Sequence, residues 1–177
     1  MAAFNPRRFM IPANAIRIIE LVLALLAVAT VAGWSSKGVT YRDLHRSDFS
    51  VLGNINFFIA IAIISIIYLA INVAVILLNK PLVPPRLDLS VCGVLSTLLL
   101  LSSVILAVSL TKLGGSTAVQ EAGLLFHSME SGLAFGFMVS ACMICSTWFA
   151  FRAKMVEGEI PPEQSRSIAE LPGDIPT

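Results

Sequence analysis

Arg17, Glu20 and Asp88 are charges set against long apolar runs of the sequence. Arg17 and Glu20 are three apart, so on a helix they share a face. A guanidinium and two carboxylates held away from water can form an interhelical salt bridge, and chains of such groups can relay protons or ions. A relay needs groups across the whole membrane, whereas these stand at one end of their segments. The expectation is therefore a structural pair, Arg17 with Asp88, that docks two helices. Independent snorkelling of each charge to the headgroups is the competing expectation.

Ser128, Gly132, Gly136 and Ser140 recur every four positions, and Gly132-Leu-Ala-Phe-Gly136 is a GxxxG motif. Small residues at that spacing let two helix backbones approach closely in lipid. The groove could receive a helix of the same chain, a second protomer or a sterol face. His127 and Glu130 are also three apart, but zinc needs about four ligands and the only other histidine is His45. They read as an interfacial His and a Glu bonded to a neighbouring helix. Two distant histidines do not supply paired haem ligands. Cys142-Met-Ile-Cys145 has C-x-x-C spacing, yet it stands in an apolar run where thiols are inert. Asn54, Asn56, Asn72 and the many Ser and Thr of the third apolar run read as interhelical hydrogen-bonding groups.

These residues are carried by four apolar blocks. The 177-residue chain is 56% hydrophobic and only 13% charged, about half the usual charge of a soluble domain. A small globule has too little interior for so many all-round apolar helices. Crossing the hydrocarbon layer takes about 20 mostly apolar residues. On that criterion spans are expected at about 14–34, 51–78, 88–111 and 123–151. The first must include Arg17 and Glu20, with Pro12 at its entry, Asn14 as a cap and Trp34 marking its far, interfacial end. Arg7 and Arg8 with Thr30-Val31-Ala32 also allow a signal-peptide reading, against which Glu20 interrupts the approach to the apolar run.

Lys and Arg total 12. With the N-terminus inside, Arg7, Arg8, Arg17, Lys80, Arg86, Arg152, Lys154 and Arg166 are cytosolic, and Lys37, Arg42, Arg46 and Lys112 are outside. The positive-inside rule then places both termini in the cytosol. The expected architecture is all-α: an integral membrane four-helix bundle with short loops. A cytosolic segment, 1–13, precedes the membrane domain, 14–153, and a disordered cytosolic tail, 154–177, follows it. Asn79 to Arg86 reads as a turn stiffened by three prolines, and Lys112 to Ala122 as a flexible tip built on Gly114 and Gly115. A net charge of +1 gives no electrostatic case for nucleic acid. No cofactor, metal or catalytic constellation is expected.

The first helix, Ala15-Ile-Arg17-Ile-Ile-Glu-Leu-Val-Leu-Ala, with four short-looped spans, resembles the MARVEL-domain family and the related Casparian-strip membrane proteins of plants. Arg17 and Asp88 match by location the basic residue of the first span and the acidic residue of the third in that group. The resemblance covers about Pro6 to Lys154. It implies a non-enzymatic role in membrane subdomain organisation, membrane apposition or vesicle trafficking, at the plasma membrane or on secretory or endosomal vesicles. Expected partners are membrane lipids, and the small-residue stripe of the fourth span leaves room for a sterol or a second copy. A small transporter or channel subunit is the alternative; it would need ionisable groups near the midplane.

Overall fold

A computed structural model describes residues 12–44, 51–78 and 85–159. Four long helices dominate it: α1 (Pro12–Ala32), α2 (Val51–Leu78), α3 (Pro85–Gly114) and, after the short α4 (Thr117–Ala122), α5 (His127–Glu159). Each of the long helices is apolar and long enough to cross a membrane, over Asn14–Ala32, Val51–Leu78, Asp88–Gly114 and His127–Phe149. The helices form a ring in which α1 packs on α2 and α5, and α3 packs on the same two. Their outward faces carry large apolar side chains such as Ile19, Leu25, Ile64, Ile67, Leu101 and Met138. Such a surface suits lipid and would be an aggregation hazard in water.

The core combines large apolar side chains, among them Phe58, Leu99, Leu106 and Met143, with buried serines. Ser65, Ser102, Ser103 and Ser140 are buried, and each hydroxyl donates to a carbonyl three or four residues back on its own helix. That local bond removes the penalty of a buried hydroxyl without a partner helix. The Ser and Thr of α3 are therefore mostly bonded within α3, not between helices as their composition suggested; Ser96, Thr97 and Thr111 also bond back. Asn54 is the exception: its Nδ2 donates to Ser109 Oγ at 2.8 Å and ties α2 to α3. Asn56 is exposed on the outer face of α2.

Several boundaries differ from the sequence-based expectation. Helix α1 begins at Pro12, so Asn14 lies inside it and is not its cap; proline is tolerated in a first turn, where its missing N–H has no intrahelical acceptor. The segment expected to be a flexible tip contains α4, which ends on Gly123 in the left-handed conformation. The last span accordingly begins at His127, not near Gly123. Helix α5 runs on to Glu159, so its helical part includes 154–159, assigned above to the tail. Residues 1–11, most of the proline turn (79–84), His45 and the tail from 160 onward lie outside the described residues.

The described part of the first interhelical loop, 33–44, forms a cap. Strands β1 (Ser35–Ser36) and β2 (Val39–Thr40) pair antiparallel around Lys37-Gly38, and both turn residues have positive φ, the requirement of a type I′ hairpin. The chain then makes a 3₁₀ turn, Tyr41–Leu44. Asp43 accepts from the backbone N–H and the hydroxyl of Thr40, which holds its carboxyl below the usual range. Trp34, at the far end of the first span, is buried in this cap, stacked on Phe126 with centroids 5.1 Å apart. Its indole N–H donates to Leu125 O. Lys37 donates to Ala122 O, the carbonyl end of α4. A Cβ on Gly123 would fall 2.5 Å from that ammonium, the end of a flexible side chain, so it is the positive φ of position 123 that favours glycine.

Candidate functional site

Arg17, Glu20 and Asp88 converge at the end of the bundle where α1 begins. Arg17 is 8% exposed and Glu20 is fully buried. Arg17 Nη1 donates to Glu20 Oε2 at 3.2 Å and to Cys92 Sγ at 3.0 Å. Arg17 Nη2 donates to Asp88 Oδ2 at 3.2 Å. The other oxygens of both carboxylates are also used. Ser146 Oγ donates to Glu20 Oε1 at 2.6 Å, and Tyr68 Oη donates to Asp88 Oδ1. Arg17 and Glu20 come from α1, Tyr68 from α2, Asp88 and Cys92 from α3, and Ser146 from α5. One buried network thus ties together all four spans.

Helix geometry explains this convergence. Arg17 and Glu20 are one turn apart, as are Asp88 and Cys92, so each pair occupies one stripe of its helix. Arginine suits the centre of such a site because its planar fork can bond several acceptors at once. Removing a single partner would leave a charge uncompensated in lipid, which typically costs about 3–5 kcal/mol. Nearby, the buried Nδ2 of Asn72 has no hydrogen-bond partner among the described residues.

The small-residue stripe of α5 faces the other helices of the same chain. Ser128 Oγ donates to Thr30 O of α1 at 2.7 Å. A Cβ on Gly132 would lie 2.4 Å from Val31 Cγ2, 2.6 Å from Thr30 Oγ1 and 3.1 Å from Ala27 O. Gly136 turns to the bundle axis, where a Cβ would lie 2.8 Å from both Phe58 Cε2 of α2 and Ser103 Oγ of α3. Ser140, one turn on, is fully buried. Ser128 and Gly132 therefore seat α1, and Gly136 makes the notch that receives Phe58 from across the ring.

Other candidates stand apart. His127 Nδ1 lies 3.2 Å from Glu130 Oε2 of its own helix, both side chains exposed, rather than Glu130 bonding a neighbouring helix. Among the described residues no cluster of His, Cys, Asp and Glu could hold a metal ion. Cys142 and Cys145 are free thiols, Cys145 on the exposed face of α5. Tyr68, Cys92 and Ser146 escaped the sequence reading of the cluster. Cys92 was findable as the residue one turn after Asp88; a lone Tyr or Ser in an apolar span gives no comparable signal.

Both acids of the cluster, Glu20 and Asp88, bond its one base, Arg17, an arrangement that can hold the helices together. Neither a curated protein nor a solved structure matches the chain. The sequence does match the MARVEL family, described as a membrane-associating domain, over residues 9–149. That stretch takes in every span, the hairpin cap and the whole Arg17 network, and the chain therefore belongs to the MARVEL family as a four-span membrane protein.

Proposed function

We propose that this protein is a non-enzymatic membrane organiser, with both termini in the cytosol, that acts through lateral contacts of its outer faces with lipid and neighbouring proteins. The observation that carries this reading is the distribution of charge. Between the Arg17–Glu20–Asp88 cluster at one end and Lys112 and Glu130 at the other, the spans hold no Asp, Glu, Lys or Arg. The space between is closed by self-bonded serines and glycine notches. A transporter would need polar groups near the midplane and a broken helix to expose them. Membrane subdomain organisation, apposition and vesicle trafficking are the roles within this reading, at the plasma membrane or on secretory or endosomal vesicles.

Reconstitution in vesicles tests it against the transporter or channel alternative. Donor- and acceptor-labelled protein at low density should show energy transfer above that of a random distribution, while ion and small-solute flux stays at the rate of empty vesicles. Random distribution combined with protein-dependent flux would reverse the assignment.

A further inference from the structure

On the outer face of the bundle, α3 and α5 leave a groove of about 310 Å³ lined by Leu89, Gly93, Ser96, Thr97, Trp148 and Phe151 among others. The volume is at the lower end of small-ligand sites, enough for one slender apolar group. Its floor exists because residue 93 is glycine: a Cβ there would meet nothing within 4 Å. The hydroxyls of Ser96 and Thr97 are turned back to Gly93 O, so the lining offers little polarity to an occupant.

The position of the groove in the bilayer narrows the occupant. Leu89 and Phe151 stand at the span ends, and Ser96 and Thr97 stand deepest. At 1.5 Å per residue, Thr97 is roughly 13 Å below Asp88. Half the hydrocarbon layer is about 15 Å. The groove thus runs along one leaflet from its headgroup level inward, the path of an acyl chain. Its mouth is flanked in the sequence by basic positions on both helices, Arg86 just before Leu89 on α3 and Arg152 and Lys154 just after Phe151 on α5. Of the acidic residues at this end, Asp88 and Glu20 are already engaged by Arg17, while Glu157 and Glu159 follow Lys154 in the sequence, one turn further along α5.

We propose that the α3–α5 groove is a binding site for an anionic glycerophospholipid, with one acyl chain against Gly93 and the phosphate at the level of Arg86, Arg152 and Lys154. The site requires only that the spans lie in a bilayer and stands independently of the organising role proposed above.

Trp148 in the groove is a built-in reporter. The chain has 2 tryptophans, and the other, Trp34, is buried in the cap at the opposite end. In Trp34→Phe protein reconstituted in phosphatidylcholine vesicles, a small mole fraction of acyl-brominated phosphatidylserine should quench Trp148 several-fold more than the same fraction of brominated phosphatidylcholine. Gly93→Leu would extend into the groove from a Cβ that meets nothing within 4 Å, so it should abolish this preference with no loss of thermal stability. Arg152→Gln with Lys154→Gln, or high salt, should reduce it. Wild-type protein should also retain phosphatidylserine over phosphatidylcholine in native mass spectrometry, a readout that does not depend on the Trp34 variant. Equal quenching by the two lipids would mean ordinary annular lipid and would overturn the proposal. Preferential quenching by a brominated sterol would overturn it too, as would a Gly93→Leu protein that keeps its phosphatidylserine preference.

Discussion

Gly132→Ala adds one methyl group at the closest approach of α5 to α1, and the structure lets its cost be estimated. Mid-helix, Gly→Ala alone should stabilise by up to about 1 kcal/mol. Against this, the new Cβ would sit 2.4 Å from Val31 Cγ2 and 2.6 Å from Thr30 Oγ1. Neither neighbour yields easily. Val31 is fully buried and β-branched, hence stiff at χ1. Thr30 Oγ1 is bonded to Leu26 O at 2.7 Å. The third neighbour, Ala27 O at 3.1 Å, is backbone. Overpacking of this kind costs typically about 1–3 kcal/mol, so the expected net loss is about 1–2 kcal/mol. For a chain of this size that is a fall of roughly 2–8 °C in melting temperature. Thermal unfolding of monomeric protein in mild detergent measures it. Gly93→Ala is the paired control, because its Cβ meets open space and it should leave the melting temperature unchanged or raise it. Gly136→Ala should also destabilise, since its Cβ would press on the buried ring of Phe58. A Gly132→Ala protein as stable as Gly93→Ala would refute the close α1–α5 packing.

The Arg17 network makes further predictions. Arg17→Ala should lower the yield of folded protein sharply and cost about 3–5 kcal/mol, because it strands both Glu20 and Asp88; folded yield from fluorescence-detected size exclusion reads this. The charge swap Arg17→Asp with Asp88→Arg should recover only part of the loss, because a carboxylate at position 17 would face Glu20; strictly additive damage with no recovery would show that the two residues are uncoupled. Tyr68→Phe keeps the ring and removes only the donor to Asp88, so it should cost about 1–3 kcal/mol, less than Arg17→Ala in the same unfolding assay. Tags at residues 1 and 177 should both resist external protease in intact cells, and digestion of either would overturn the proposed cytosolic termini.

The spans were legible because lipid imposes a crude rule: about 20 residues with hardly a charge. Their ends were not, because hydropathy cannot tell a span from an apolar connection. Leu124, Leu125 and Phe126 look like the start of the last span. In the structure they form the segment between α4 and α5, with Leu125 exposed and Phe126 stacked on Trp34. The hairpin was hidden for a related reason: strands of two residues carry no alternation to read, and only the positive φ of Lys37 and Gly38 marks the turn. Within the site, charge gave away Arg17, Glu20 and Asp88, since a charge in an apolar run demands an explanation. The neutral members depend on how each helix is rotated about its axis, which the sequence of a uniformly apolar helix scarcely encodes.

The two ends of the bundle are held by opposite means. At the end where α1 begins, side chains from all four spans meet in one charged network, and the outward groove between α3 and α5 starts at the same level. At the other end the backbone closes the bundle: Trp34, Ser36 and Lys37 each bond main-chain atoms between Ala122 and Leu125. Between them α5 spends its small residues on α1, Phe58 and Ser103, inside the chain. The stripe that the sequence also offered to a second protomer or a sterol face is thereby occupied within the chain. Any contact with a second copy, a sterol or other lipids would fall instead to the exposed faces that carry Ile64, Ile67, Leu101, Met138 and Trp148. Such faces lack the close backbone approach that makes GxxxG contacts strong. Lateral association through them should accordingly be weaker than the packing within the bundle and should respond to the surrounding lipid, a property that suits a membrane organiser better than a permanent oligomer.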